Sequence, residues 1–236
     1  LEPTKKNVLQ MKASLDKAGI INQEAALRQA SGQAFYNTSE FTLRDLRSVA
    51  NQQQLKANFE AYLDGYSSNV QEILNNFEFR NQIPRLSKAD VLGSLIEKFL
   101  DPTINLSPLP VKNMDGSFRH PGLDNHAMGT VFEELIRRFN EENNEEAGEH
   151  WTPRDVVRLM AHLIFLPISE QIQSSAYLLY DGACGTGGML TVAEETLRDL
   201  AEQNGKQVST HLYGQEINPE TYAICKADLL ISGEGE

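Results

Sequence analysis

Over roughly the first 140 residues the apolar positions recur at the three- and four-residue spacing of helices, and the region reads as helical throughout. In LSKADVLGSLIEKFL, Leu86 to Leu100, the residues Val91, Leu92, Leu95, Ile96 and Phe99 form one stripe behind Ser87, a candidate N-cap. Met128 to Phe139 repeats the pattern with Phe132, Leu135, Ile136 and Phe139. Both stripes read as core packing. Between them the stretch from Asn105 to Asn125 is punctuated by Pro108, Pro110 and Pro121 and by turn residues, so it reads as a loop. The acidic run EENNEEAGE, Glu141 to Glu149, reads as a solvated helix end or connector.

After Glu149 the pattern changes. Thr152, Pro153 and Asp155 suit the N-cap, N1 and N3 positions of a helix whose apolar face is Val156, Leu159, Met160, Leu163 and Ile164. Two short strand-like runs follow, AYLLYD (Ala176 to Asp181) and HLYGQE (His211 to Glu216), joined by a helical stretch from Leu190 to Gln203. A further helix is expected to run to about Ser232, with Asn218 as its cap and Pro219 at N1. Strand, glycine-rich turn, helix, strand is the opening of a doubly wound α/β domain, whose ligands sit at the carboxyl ends of the strands. The expected division is therefore a helical domain over residues 1–148 and the first part of an α/β domain over 149–236. Only two strands are legible, so the sheet is expected to be completed by residues outside this chain.

Composition narrows the chemistry. With 236 residues and 40% hydrophobic side chains the chain can bury a real core, and no apolar run approaches the roughly 20 residues of a membrane span. The start at Leu1 suits neither a signal nor a transit peptide, which makes the cytoplasm the expected compartment. Cys184 and Cys225 are too few for a disulfide framework, and five scattered histidines make no metal pair, so no metal is expected. A net charge of -12 argues against gripping a nucleic acid backbone unaided; any DNA role must borrow positive charge from a partner.

The candidate chemistry centres on YDGACGTGGML, Tyr180 to Leu190. A phosphate-cradling P-loop requires a lysine after its last glycine, and none follows Gly187. A dinucleotide fingerprint counted from Gly185 and Gly187 puts Leu190 where its third glycine belongs. What remains is a loop bare enough for backbone contact, preceded by Asp181 and answered by Glu216 at the end of the second strand. A carboxylate there can accept hydrogen bonds from both hydroxyls of a ribose, and Asp181 can meet a cation. A ligand with a ribose, a positive charge and no phosphate fits S-adenosylmethionine. The plainer reading is that the glycines make a tight turn and Glu216 is an ordinary exposed residue. Cys184 reads as a packed loop residue, and Glu220 after Asn218-Pro219 rules out a catalytic Asn-Pro-Pro motif there.

The segments EHWTPRDVVRLM, DGACGTGGML and YGQEINPETYAICKADLLISGE, with MGTVFEELIRRFNEE upstream, resemble the modification (methyltransferase) subunit of type I restriction-modification systems, a family of N6-adenine DNA methyltransferases. The resemblance covers nearly the whole chain. It implies a helical N-terminal domain followed by a Rossmann-like methyltransferase domain that transfers the methyl group of S-adenosylmethionine to an adenine flipped out of duplex DNA. It also implies a complex with a specificity subunit, a restriction subunit and a second modification subunit. The donor site it implies takes in Glu149, His150, Trp151, Thr152, Pro153 and Arg154, then Asp181, Ala183, Gly185, Thr186, Gly187 and Gly188, and Glu216 at the ribose. Arg154, a cation in the first turn of a helix, costs roughly 0.3 to 1 kcal/mol against the macrodipole; it either holds the donor's carboxylate or reaches solvent. The sequence departs from the family twice. Gly182 stands where the family usually has proline, and the catalytic tetrapeptide [DNS]-P-P-[FYW] is absent, so no catalytic residue is named and this chain alone is expected to be inactive. Two other classes fit the same residues: a non-catalytic interaction scaffold, or a methyltransferase acting on protein or RNA.

Overall fold

The computed structural model of the protein describes residues 2–123, a few positions between 127 and 138, and 152–233. The chain divides into two compact units, residues 1–129 with 230–236, and residues 130–229. The division expected near residue 148 lies outside the described residues.

The first unit is helical, with α1 (Lys5–Lys17), α2 (Glu24–Ser31), α3 (Leu43–Arg47), α4 (Gln52–Asp64), α5 (Ser68–Asn76), α6 (Phe79–Lys88) and α7 (Leu92–Phe99). Local chemistry sets several of the starts. Thr42 and Asp45 form a reciprocal capping box on α3, and Asn51 Oδ1 accepts from the Gln54 amide at 3.0 Å to open α4. Leu46, Leu55, Ile83 and Leu92 are fully buried at the centre, with Phe59, Tyr62, Leu63 and Ile96 around them.

Ser87 is not a cap: it lies in the last turn of α6. The chain breaks at Asp90, which takes a left-handed conformation (φ 58°), while the Val91 amide donates to Leu86 O at 3.0 Å and the Asp90 amide to Ser87 O at 3.1 Å. The break resets the helical phase. Leu92 and Ile96 are buried, whereas Val91, Leu95 and Phe99 of the expected stripe are exposed. The proline-rich loop holds one short antiparallel ribbon, β1 (Val111–Lys112) with β2 (Phe118–His120). Leu135 is exposed rather than packed, and Phe132, Ile136 and Phe139 lie outside the described residues.

The second unit runs α8 (Arg154–Phe165), β3 (Ala176–Asp181), α9 (Gly188–Gln203), β4 (Ser209–Gly214) and most of α10 (Pro219–Ser232), whose residues from 230 on count with the first unit. The strands pair in parallel, from Ala176 opposite Ser209 to Asp181 opposite Gly214, with α9 as the crossover. Glu216 therefore falls two residues past its strand rather than at the end of it. Tyr177 and Leu179 point inward to Leu197, Leu200 and Ala201 of α9. The alternate residues Leu178, Tyr180 and Tyr213 face the other way and are exposed.

Two expectations about α8 are corrected. Pro153, not Thr152, occupies the cap position, its carbonyl accepting from the Val156 and Val157 amides at 2.9 and 3.1 Å. The buried face is Val157, Ala161 and Phe165, while Val156, Leu159, Met160, Leu163 and Ile164 are exposed. Apolar side chains lie on both faces of this helix, so periodicity alone could not select the packed one. Val157 meets Met189 and Val192 near the start of α9, and Phe165 joins the cluster of Leu197 and Leu200 further along it. The two helices thus begin at the same end.

Candidate functional site

The glycine loop is held by a small set of backbone contacts. β3 ends at Asp181, whose Oδ1 accepts from the Ala183 amide at 3.0 Å and closes the turn through Gly182. The Gly187 amide donates to Cys184 O at 2.8 Å, and Gly187, with φ 88°, stands as the cap of α9. That left-handed conformation favours glycine, and Gly185 shares it at φ 56°. Just past the end of β4, Gln215 donates its amide to Asp181 O and its carbonyl accepts from the Cys184 amide, both at 2.9 Å.

Glu216 completes the arrangement. Its Oε2 accepts from the Gly185 amide at 3.1 Å and its Oε1 from the Asn218 amide at 2.8 Å. One carboxylate thereby joins the glycine loop to the entrance of α10, which is capped as expected by Asn218 Oδ1 accepting from the Glu220 and Thr221 amides at 2.9 and 3.1 Å. Two acidic side chains, Asp181 at the end of β3 and Glu216 two residues past β4, thus sit beside a loop where Gly185 and Gly188 leave open the space that a Cβ would fill. Such a surface repels phosphate and attracts cations and hydroxyl donors.

Behind the loop, Cys184 and Cys225 are buried free thiols, clustered with Leu190. A Cβ on Gly214 would lie 2.7 Å from Cys184 Sγ, so this glycine is required by close packing. Burial pushes both thiols up, Cys225 to about 12; for Cys184 the contact with Cys225 opposes the rise, and the charges of Asp181 and Glu216 add to it. Neutral thiols in this setting are packing residues, not nucleophiles.

Of the expected site residues, the structure brings together Asp181, Ala183, Gly185, Gly187, Gly188 and Glu216. Thr186 lies half-buried within the same loop. Thr152 and Pro153 are exposed ahead of α8, which begins at Arg154, and Glu149, His150 and Trp151 lie outside the described residues. The sequence reading missed Gln215, whose part in the site follows from strand register rather than from any motif. Among the described residues no group of three or more His, Cys, Asp or Glu side chains could hold a metal, and no helix is long and apolar enough to cross a membrane.

Residues 1–99 match the family described as HsdM N-terminal domain, and residues 123–235 match N-6 DNA Methylase. Among curated proteins, the type I restriction enzyme EcoEI methylase subunit of Escherichia coli is 30% identical over 113 residues, 47% of this chain and 21% of that protein. The HindI methylase subunit of Haemophilus influenzae is 26% identical over 168 residues, 67% of this chain and 33% of that protein. The chain belongs to the family of type I restriction-modification methyltransferase subunits. A solved subunit of such a system from Streptococcus thermophilus superimposes with a TM-score of 0.55 at 15% identity, covering 98% of this chain and 49% of that one. At that identity the likeness shows the fold alone. Measured against its relatives, this methyltransferase-subunit chain spans about half of the solved chain and a third or less of the two curated proteins.

Proposed function

We propose that the loop from Asp181 to Gly188 and the carboxylate of Glu216 bind S-adenosylmethionine, and that the whole protein transfers its methyl group to N6 of an adenine in DNA. The observation that carries this reading is the placement of Glu216. Its two oxygens are fixed by the Gly185 and Asn218 amides, at 3.1 and 2.8 Å, which leaves each oxygen further lone-pair capacity for a pair of ribose hydroxyls. The donor set fits: two carboxylates suit a sulfonium and a diol, and the loop has no lysine of the kind that phosphate-binding loops carry.

When bound, the donor supplies an electrophilic methyl group. The chain's own part is to orient it. Glu216 would hold the ribose, and the Asp181 carboxylate at the end of β3 would offer a counter-charge to the sulfonium. The open space at Gly185 and Gly188 allows backbone approach. Thr152, Pro153 and Arg154, with Glu149, His150 and Trp151 before them, are assigned to the same site by family resemblance, and the common starting end of α8 and α9 supports that assignment for α8. Adenine specificity, extrusion of the base and the catalytic tetrapeptide belong to the complete subunit. The acidic charge supports a division of labour in which DNA is gripped through partners: a specificity subunit, a second modification subunit and a restriction subunit, in the cytoplasm.

The test is methylation by the complete subunit with its specificity partner, using donor tritiated on the methyl group. Label is expected on N6-methyladenine in duplex DNA, and it should disappear with Glu216→Ala. Label on protein or RNA in place of DNA would overturn the substrate assignment.

A further inference from the structure

We infer that Tyr180 and Gln215 are positioning residues for this loop, and that Gly182 is there to admit the Tyr180 hydroxyl between them. The inference rests on the donor-binding reading above for its functional consequence and on geometry alone for its structural part. Tyr180 lies on the outer face of β3, one residue before Asp181, and its hydroxyl donates to Gln215 Oε1 at 2.9 Å. Gln215 already holds Asp181 O and the Cys184 amide through its backbone, both at 2.9 Å. The side-chain bond adds a third tie to the same residue, and Glu216, which grips Gly185, is next in the chain. Gln215 thus fixes where β3 hands over to the glycine turn and where the carboxylate sits.

Gly182 belongs to the same unit. It has no positive φ, so its backbone conformation does not demand glycine. What restricts it is space: a Cβ there would lie 3.3 Å from Tyr180 Oη, with the nearest ring carbons at 3.6 and 3.7 Å. The hydroxyl is the one atom in the tight range. An added methyl must push it aside, and the bond to Gln215 lengthens as it moves. Tyr180→Phe removes that atom and that bond together, leaving only ordinary contacts around the methyl. The two substitutions therefore act through one interaction and cannot add.

Residue-resolved amide exchange on the wild-type chain, Tyr180→Phe, Gly182→Ala and the double variant tests this directly. The Cys184 and Gln215 amides are expected to exchange about threefold to tenfold faster in each single variant and no faster still in the double, with Leu197 in the core unchanged. Gln215→Glu, which keeps an acceptor for the hydroxyl, should retain the protection that Gln215→Leu loses. The dissociation constant for S-adenosylmethionine should rise by a similar factor in the singles, again without addition. Unchanged exchange at Cys184 and Gln215 in Tyr180→Phe, or a full additional effect of Gly182→Ala in the Tyr180→Phe background, overturns the inference. A wild-type chain that binds no donor refutes the donor-binding reading, while the exchange data still decide whether these residues position the loop.

Discussion

Replacing Glu216 with glutamine probes both the amide bonds this side chain makes in the structure and the ribose contact proposed for it. The carboxylate accepts one amide hydrogen bond on each oxygen, from Gly185 and from Asn218. Glutamine keeps one acceptor and turns the other position into a donor, so one of the two amides faces an NH₂ group. Hydrogen bonds to a charged acceptor contribute about 1.5 to 3 kcal/mol and neutral ones about 1. Glu216 is half-exposed, which favours the lower part of that range, so the folded chain should lose about 1 to 2 kcal/mol. Donor affinity should fall by about ten- to a hundredfold, because the ribose hydroxyls lose charged acceptors at the same moment. Calorimetric titration of S-adenosylmethionine, with thermal unfolding in parallel, measures both. Glu220→Gln, an exposed residue of equal charge in the first turn of α10, is the control. A donor analogue lacking the ribose 2′-hydroxyl separates the roles: it should bind more weakly than the donor in the wild type, with most of that difference gone in Glu216→Gln. Equal losses at positions 216 and 220, or an undiminished penalty for the analogue in the variant, would mean that Glu216 does not hold the ribose.

Other outcomes follow from the same geometry. Gly187→Ala places a Cβ 2.8 Å from Cys225 Sγ at a left-handed φ, and urea unfolding should show a loss of about 1 to 3 kcal/mol, while Gly188→Ala, with open space, should be close to neutral. The Cys225 thiol, pushed up to about 12 from 9.0, contributes stability that is complete below pH 9 and is lost as pH rises toward 12. The wild type should therefore fall faster than Cys225→Ala over that window, by up to about 1.4 kcal/mol per pH unit, and parallel pH curves would contradict the assignment. Thr42→Ala removes the capping box of α3 and should lower stability by about 1 kcal/mol in the same assay. With 33 acidic against 21 basic residues, the chain alone should bind duplex DNA no better than about 10⁻⁴ M at physiological salt, and a tight, sequence-selective gel shift would contradict the need for partners.

The α/β unit was legible where local chemistry and chain order agree. AYLLYD is β3 to the residue, and the Asn218-Pro219 signature sets the start of α10, because strand alternation and capping are local rules. Two kinds of information were not local. The packed face of α8 depended on which side α9 approached: the apolar arc of α8 is wider than the face that Val157, Ala161 and Phe165 bury, and the sequence carries no record of which part of it is used. The phase of α7 depended on Asp90 adopting a left-handed turn that an aspartate takes only when the surrounding packing favours it. In the site, the glycines and both carboxylates could be picked out as a motif. The tie from Glu216 to Gly185 and the Tyr180 to Gln215 bond could not, since both arise from the parallel register of β3 and β4 across more than 30 residues of sequence.

Titrating the ¹⁵N-labelled chain with S-adenosylmethionine while following its amide resonances asks whether this loop and Glu216 form the methyl-donor site. Saturable shifts are expected, concentrated in residues 181–188 and 214–218, reversed by competition with S-adenosylhomocysteine and not reproduced by ATP or a nicotinamide dinucleotide. Amides there that stay still at several millimolar donor, or that move equally with ATP, would contradict that assignment.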